Sequence, residues 1–352
     1  MRLLPCLFKS TLLAAAALLA IELAKAQSPA DLFYKGRSVP LLVGFAPGGI
    51  NDISARLVAR YLPRFLPRSP TLVVQNQPSA GGLAVANYIY NVAPKDGSVL
   101  AGVDRATPQL AIEGETEAKF DPVKFTWLGS ISSYANDAYL LLVNASSPVH
   151  SVEDLRKPGP PIRLGAVGAG ATNLIFAQIA RDVLHLNVSI IRGYTGAAPM
   201  FLAMRSGELD GQVIGLSSVK SGQRDLWDNH LVRPLVQFGR ETRLPELADV
   251  PTGRELAPDD NSRALIAFSE LPFFMALPFI APPDLPPQRA KLLQDAFAQM
   301  VKDKNFLADA EKIGLDVSPI GADQLVDLLN RSAATPPAVI ARYNAVLSPQ
   351  KN

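Results

Sequence analysis

Short apolar runs alternate with helical periodicity through most of this chain. Residues 39–45 and 72–75 are apolar runs of strand length, and each is followed by a glycine loop and by apolar positions at helical spacing. The first of these helices opens at Asp52, and the second spans residues 83–91. Strand, loop and helix in this order form the repeating unit of proteins with parallel sheets. The pattern therefore predicts an α/β fold.

The same alternation continues to the end of the chain, with a polar exposed loop expected over residues 113–121. Of 352 residues, 48% are apolar, which is enough for two cores in a chain too long for one small domain. Further apolar runs or strands are predicted at residues 98–103, 125–130, 139–143, 162–167, 188–191, 212–215, 235–239 and 273–280, and further helices at 173–184, 197–206, 288–304, 305–313, 322–331 and 336–347.

Glycine loops lie where these strands meet the following helices. The first strand is followed by Gly48 and Gly49, the second by Gly81 and Gly82, and two later strands by similar loops. The first backbone N–H groups of a helix lack intrahelical acceptors and carry the positive end of the helix dipole, so they attract anions. Glycine also lets a ligand approach the backbone closely. These loops either bind an anion or are ordinary turns of an α/β protein, because a lone glycine loop is a weak motif.

The residues of three segments, and the order of these segments in the chain, favour anion-binding loops over ordinary turns. The chain reads APGGINDISAR, then VVQNQPSAGGLA, then APKDGSVLAG. These segments resemble the solute receptors of tripartite tricarboxylate transporters, the Bug or TctC-like periplasmic binding proteins. The resemblance implies a two-lobed, type II, flytrap-like periplasmic binding protein, in which each lobe is a mainly parallel sheet flanked by helices. It also implies that a small organic carboxylate is held in the interlobe cleft and delivered to the permease subunits of such a transporter, or to a sensor.

The chain departs from the family pattern in both of its first two loops. Family members usually have a third glycine and a threonine where this chain has Ile50 and Asn51. They often have Asn-Arg-Pro-Gly where it has Asn76-Gln77-Pro78-Ser79. The sequence therefore leaves the ligand open, and an aromatic or longer-chain carboxylate is as consistent with it as citrate.

The resemblance also implies where the chain crosses between the lobes. Residues 27–134 and 246–352 are expected to form a discontinuous lobe 1, and residues 135–245 are expected to form lobe 2. We expect a monomer. The candidate ligand-binding residues follow the predicted strands of both lobes and are Phe45, Pro47, Gly48, Gly49, Asn51, Asp52, Ser79, Ala80, Gly81, Gly82, Arg105, Thr107, Gly168, Gly170, Ala171, Thr172, Tyr194, Thr195, Gly196 and Ala197.

Several of these side chains have two interpretations. Arg105 is either a carboxylate clamp, since guanidinium pairs bidentately with carboxylates, or a surface arginine paired with a nearby acid such as Asp104. Thr172 and Thr195 either cap the helices that follow them or donate a hydroxyl proton to a ligand. Asp52 either caps its helix or contacts a polar ligand group.

Residues 1–26 have the pattern of a secretory signal. A basic start, an apolar run too short for a comfortable membrane span and a small-x-small ending predict cleavage before Gln27 and a periplasmic location, with an uncleaved anchor as the alternative. Cys6, the single cysteine, lies inside this segment, so the mature chain is expected to contain no thiol. Residues 27–352 carry 31 basic and 31 acidic side chains, and this balance argues against a nucleic-acid partner.

The sequence contains no recognisable catalytic or metal-binding motif. Its three histidines are scattered, no GxSxG elbow or phosphate loop is present, and we expect no metal and no cofactor. Two functions from different classes remain. The first is a non-enzymatic receptor, and the alternative is an exported α/β enzyme that acts on an anionic substrate with Asp52 as its base.

Overall fold

A computed structural model describes residues 32–78, 82–168 and 171–348 in two compact units. Unit 1 consists of the described residues up to Val103 together with Lys124–Gly129 and Phe279–Leu315. Unit 2 consists of Asp104–Val123, 130–278 and 316–348, without the masked positions. The sequence analysis assigns to lobe 1 four segments that belong to unit 2, namely 104–123, 130–134, 246–278 and 316–348. The lobe boundaries stay a prediction.

The secondary structure follows the alternation seen in the sequence. The strands are β1 (Ser38–Val43), β2 (Thr71–Asn76), β3 (Leu100–Gly102), β4 (Thr126–Ser130), β5 (Tyr139–Asn144), β6 (Ile162–Ala166), β7 (Val188–Arg192), β8 (Gly211–Gly215), β9 (Val232–Phe238), β10 (Pro278–Ala281) and β11 (Ile320–Gly321). The helices are α1 (Ile50–Tyr61), α2 (Leu83–Asn91), α3 (Thr107–Glu113), α4 (Thr172–Asp182), α5 (Ala197–Arg205), α6 (Leu216–Gly222), α7 (Arg224–Asp228), α8 (Gly253–Leu256), α9 (Asp260–Phe274), α10 (Pro287–Met300), α11 (Lys304–Lys312), α12 (Ala322–Ala333) and α13 (Pro337–Leu347).

The sheet of unit 1 has the strand order β4-β10-β3-β1-β2. Strand β1 pairs in parallel with both β2 and β3, and β10 pairs antiparallel with β3. The register places Val43 opposite Asn76 on one side and Gly102 on the other. The carboxyl ends of three parallel strands are therefore level, which brings the loops after β1 and β2 to the same edge of the sheet.

The sheet of unit 2 has the order β7-β6-β8-β5-β9 and is mixed. The pairs β6–β7 and β6–β8 are parallel, whereas β5 runs antiparallel to both β8 and β9. On β5, Leu141 and Val143 enter one apolar cluster while Leu140 and Leu142 enter another. Side chains alternate between the two faces of a strand, so this sheet has a core on each face. The α/β prediction is confirmed, and the second sheet contains more antiparallel pairing than expected.

One predicted strand is wrong in its first half. Residues 273–280 were expected to be extended, but Phe273 and Phe274 end helix α9 and only Pro278–Ala281 is a strand. The helix begins where the Asp259 side chain accepts a hydrogen bond from the Ser262 N–H. Short apolar runs fit either a buried helix end or a buried strand, and here the two adjoin.

Candidate functional site

The two glycine loops of unit 1 pack against each other. A Cβ on Gly44 would lie 2.4 Å from the Gly82 Cα, so only glycine allows the two backbones to approach this closely. Gly82 has a φ of +89° and lies under the Phe45 ring. Asn76, at the end of β2, donates to the Phe45 carbonyl at 3.0 Å. These contacts place Phe45 and Gly82, two of the candidate ligand-binding residues, next to each other, and their role in ligand binding stays a prediction.

Asp52 holds this arrangement together. Its carboxylate accepts hydrogen bonds from the Gly48 N–H at 2.8 Å, Arg56 Nε at 2.9 Å and Asn76 Nδ2 at 2.9 Å. The residue is 2% exposed. The Arg56 hydrogen bond, followed by those from Gly48 and Asn76, outweighs burial and lowers the pKa of Asp52 from 3.8 to about 2. Sequence reasoning missed Arg56 and Asn76, although both lie within segments that carry the family resemblance.

Helix α1 begins at this fixed loop. Its N-cap is Gly49, which has no side-chain cap, so Asp52 is the third helical residue and its assignment as the helix start was two residues late. Pro47, Gly48 and Gly49 are exposed, and a Cβ built on either glycine meets no protein atom within 4 Å. Gly48 has a φ of +91° and donates its N–H to Asp52. An anion at this end of α1 would meet the positive end of the helix dipole.

Unit 2 presents a similar pair of loops after β6 and β7. These strands pair in parallel up to Ala166 and Arg192, so their loops emerge at the same edge. Helices α4 and α5 begin directly after them, with Ala171 and Gly196 as N-caps. Thr172 and Thr195 are therefore not the N-caps, so the structure does not bear out the capping interpretation of these threonines, and their contact with a ligand stays a prediction.

The side chains of these loops differ in what they contact. Tyr194 donates its hydroxyl proton to Glu208 at 2.5 Å, which commits that hydroxyl to the protein. Thr195 is exposed, and Cβ atoms built on Gly168 and Gly196 meet no atom within 4 Å. A ligand could therefore use the open space beside Gly168 and Gly196, whereas the Tyr194 hydroxyl is already hydrogen bonded to Glu208. Ala197 is the first residue of α5.

Arg105 and Thr107 lie in unit 2, at the start of α3. Arg105 donates from Nη2 to Thr172 Oγ1 at 3.4 Å, and its guanidinium carbon lies 5.1 Å from the centre of the Phe273 ring. Thr107 is 2% exposed, and its Oγ1 has no hydrogen-bond partner among the described residues. The structure thus joins Arg105 to Thr172, two residues that the sequence analysis placed on separate loops.

A polar cluster in unit 2 was missed by sequence reasoning. Asp137 is 6% exposed and accepts hydrogen bonds from Ser217 Oγ at 2.5 Å and from the Ser217 N–H at 3.1 Å. Its neighbour Tyr134 has a φ of +61°, and a Cβ on Gly215 would lie 2.9 Å from the Tyr134 hydroxyl. No local motif predicts this cluster, because Asp137 and Ser217 lie on two segments that are 80 positions apart in the chain.

Some of the predicted features lie in parts of the chain that the structure does not describe. Ser79, Ala80, Gly81 and Gly170 lie outside the described residues, as does the predicted signal segment. Within residues 32–78, 82–168 and 171–348, no helix has the length and apolar character needed to cross a membrane. The same ranges contain no group of three or more His, Cys, Asp or Glu side chains that could bind a metal ion.

Known proteins are similar to this chain over most of its length. A Cupriavidus necator protein described as "UPF0065 protein in gbd 5'region" is 26% identical over 337 residues, which cover 94% of each chain. The structure of a TctC solute binding protein from Polaromonas is similar with a TM-score of 0.69 at 19% identity, covering 88% of this chain and 99% of that one. MatC from Rhodopseudomonas palustris, solved with bound malate, has a TM-score of 0.52 at 19% identity and coverages of 89% and 99%.

The family model of the tripartite tricarboxylate transporter family receptor, TctC, matches residues 55–344. That range includes most of α1, the loops after β2, β6 and β7, and both sheets except β1. The match covers far more than half of the chain, and the protein therefore belongs to the tripartite tricarboxylate transporter receptor family.

Proposed function

We propose that this protein is a non-enzymatic, exported receptor that binds a small organic carboxylate and delivers it to the permease subunits of a tripartite tricarboxylate-type transporter or to a sensor. The observation that carries the proposal is the fixed loop at the start of α1. Asp52 and Asn76 hold the loop backbone in place, while the space beside Gly49 is open. A rigid helix N-terminus with open space in front of it suits a carboxylate group.

The similar protein MatC, which was solved with malate, supports a carboxylate as the ligand class. The alternative, an exported α/β enzyme with Asp52 as base, has little support in this geometry. Both Asp52 oxygens accept protein hydrogen bonds, and a carboxylate with a pKa of about 2 is a poor proton acceptor at neutral pH. The interlobe cleft, the cleaved signal segment and the monomeric state remain predictions.

A thermal-shift screen tests this proposal. The purified protein is unfolded and refolded to remove any carried-over ligand, and is then heated with mono-, di- and tricarboxylates, aromatic acids and amino acids. A ligand at a hundred times its dissociation constant should add about 2.7 kcal/mol to the free energy of unfolding. We expect a carboxylate to raise the melting temperature with no product formed. Turnover of the bound ligand would contradict the receptor assignment.

A matched pair of variants locates the site. Gly49→Val adds a side chain where the structure leaves open space beside α1, and its φ of −81° accepts any residue. Gly159→Val makes the same change in an equally open loop of unit 2 that is not part of the candidate site. We expect Gly49→Val to abolish the ligand-induced shift and Gly159→Val to preserve it. Equal shifts in both variants would remove the α1 loop from the site.

A further inference from the structure

Unit 2 contains a cavity of about 400 Å³ whose lining includes Arg105 and Thr172, two of the candidate ligand-binding residues. Its walls come from α3, α4, α9 and α13, and they include the rings of Phe176, Phe273 and Tyr343. All three rings belong to residues that are at most 3% exposed. This volume lies within the usual range for small-molecule sites, about 300–1,000 Å³, which combine apolar walls with a few convergent polar groups.

The cationic group of the cavity is Arg105. Its guanidinium uses one of its five N–H donors in the hydrogen bond to Thr172 and lies 5.1 Å from the centre of the Phe273 ring. The ring is in turn 5.5 Å from that of Phe176. A carboxylate at Arg105 would therefore be attached to a molecular body that lies against two aromatic side chains.

The cavity has further polar groups, which are Asp104 beside Arg105, Ser269 on α9, and Gln109 and Glu113 on α3. Gln109 and Glu113 are one helical turn apart. Gln109 donates from Nε2 to the Tyr343 hydroxyl at 3.0 Å. Burial raises the pKa of Glu113 to about 7, against the opposing effect of Gln109. The Glu113 carboxyl can accept a hydrogen bond at this end of the cavity, and its ionised form disfavours a second anion there.

Arg105 lies just before the start of α3 and Glu113 lies at its end, so the helix separates the two side chains. From Thr107 to Glu113 the helix rises by roughly 9 Å, at 1.5 Å for each residue. The two groups are thus arranged for one elongated molecule rather than for a compact one. The cavity is polar at both ends and aromatic between them.

We propose that this cavity binds the body of an aromatic monocarboxylate, with its carboxylate at Arg105 and a hydroxyl or amino donor directed at Glu113. The proposal goes beyond the receptor function argued from the α1 loop, because it assigns to unit 2 a carboxylate site of its own. A carboxylate at the far end of the ring would meet Glu113 and is disfavoured by repulsion from the ionised form of that side chain. A ring without a donor would leave the polar end unpaired, which costs binding free energy.

Calorimetric titration with 4-hydroxybenzoate, benzoate, terephthalate and malate tests the proposal. The wild-type protein should bind 4-hydroxybenzoate at least tenfold more tightly than benzoate, and terephthalate more weakly than both. Glu113→Gln should remove most of this preference and strengthen terephthalate binding relative to benzoate. The matched control is Glu115→Gln, which neutralises an exposed carboxylate two residues further along and should leave all affinities as in the wild type.

A second variant tests the space in the cavity. Ile175 lines it from α4 and is partly exposed, so Ile175→Phe should fill part of the volume and weaken both aromatic acids at least fivefold. Thermal unfolding of each variant verifies its fold. Binding of malate but of no aromatic acid by the wild type would overturn the cavity assignment while the receptor function stands. If no carboxylate binds, malate included, the receptor function fails as well. Equal effects of Glu113→Gln and Glu115→Gln would also overturn the proposal.

Discussion

Replacing Asp52 by asparagine should destabilise the protein in a pH-dependent way. The wild-type carboxylate is 2% exposed and accepts hydrogen bonds from Gly48, Arg56 and Asn76. A displacement of its pKa from 3.8 to about 2 corresponds to about 2 kcal/mol of folding free energy. Arg56 is more than half exposed, so screening by solvent makes this an upper value for the electrostatic part.

The asparagine amide adds a second cost. Its NH₂ group must replace one oxygen, and every partner of that oxygen is a hydrogen-bond donor. A donor that loses its acceptor costs about 1–3 kcal/mol when buried. We therefore expect Asp52→Asn to lower the free energy of unfolding at pH 7 by about 2–4 kcal/mol, and to weaken ligand binding because the Gly48 loop loses its anchor.

The pH dependence separates the two costs. Because the folded pKa of Asp52 is below the unfolded one, its stabilisation is complete above about pH 5 and is lost as the pH falls through 3.8 toward 2. Urea unfolding of the wild type and the variant between pH 7 and pH 3 should show the difference narrowing below pH 4. The control is Asp323→Asn, an exposed acid in the first turn of α12, for which we expect no more than about 0.5 kcal/mol. A difference that stays constant over this range would refute the assignment.

Three further predictions concern glycines and arginines. Gly44→Ala should unfold the loop pair of unit 1, because its Cβ would lie 2.4 Å from a backbone atom, whereas Gly49→Ala should leave the melting temperature within about 2 °C of wild type. Arg254→Ala leaves the Glu270 carboxylate, 0% exposed, without its 2.6 Å partner and should cost about 3–5 kcal/mol in urea unfolding at pH 7. The cost should be smaller at pH 5, because burial raises the pKa of Glu270 to about 7 and the carboxyl group takes up a proton below it. Arg105→Ala should weaken the binding of any aromatic carboxylate that binds the wild type, as titration calorimetry would show, and unchanged affinity would exclude the clamp role.

The repeating strand, loop and helix pattern was sufficient to predict most of the elements. Helix α2 spans Leu83–Asn91 as expected, because Gly82 forms its N-cap with a positive φ and apolar positions then recur at helical spacing. Strand β7 differs from its prediction by one residue. The bounds of such elements depend on residues that are neighbours in the chain, and a single sequence is sufficient to show those neighbours.

The contacts that give the site its rigidity could not be predicted in this way. Asn76 is 24 positions from Asp52, and the two meet only because β1 and β2 pair in parallel with Val43 opposite Asn76. The same holds for Arg105, whose contact with Thr172 spans 67 positions. Neither pair has a spacing that a helix or a strand would bring together. Their partners follow from the register of the sheets and from packing, which periodicity does not encode.

Glycine shows most plainly why the sequence alone left two interpretations of these loops open. Gly44 is required by packing, since a Cβ would collide with Gly82. Gly48 is required by its conformation, with a φ of +91°. Gly49 satisfies neither condition, because its φ is −81° and the space around it is empty. Only this third kind of glycine bears on a ligand, since the fold itself would accept a larger residue there. The three look alike in the sequence, and the binding hypothesis for the α1 loop therefore depends on how substitutions at Gly49 affect affinity rather than on the glycine pattern.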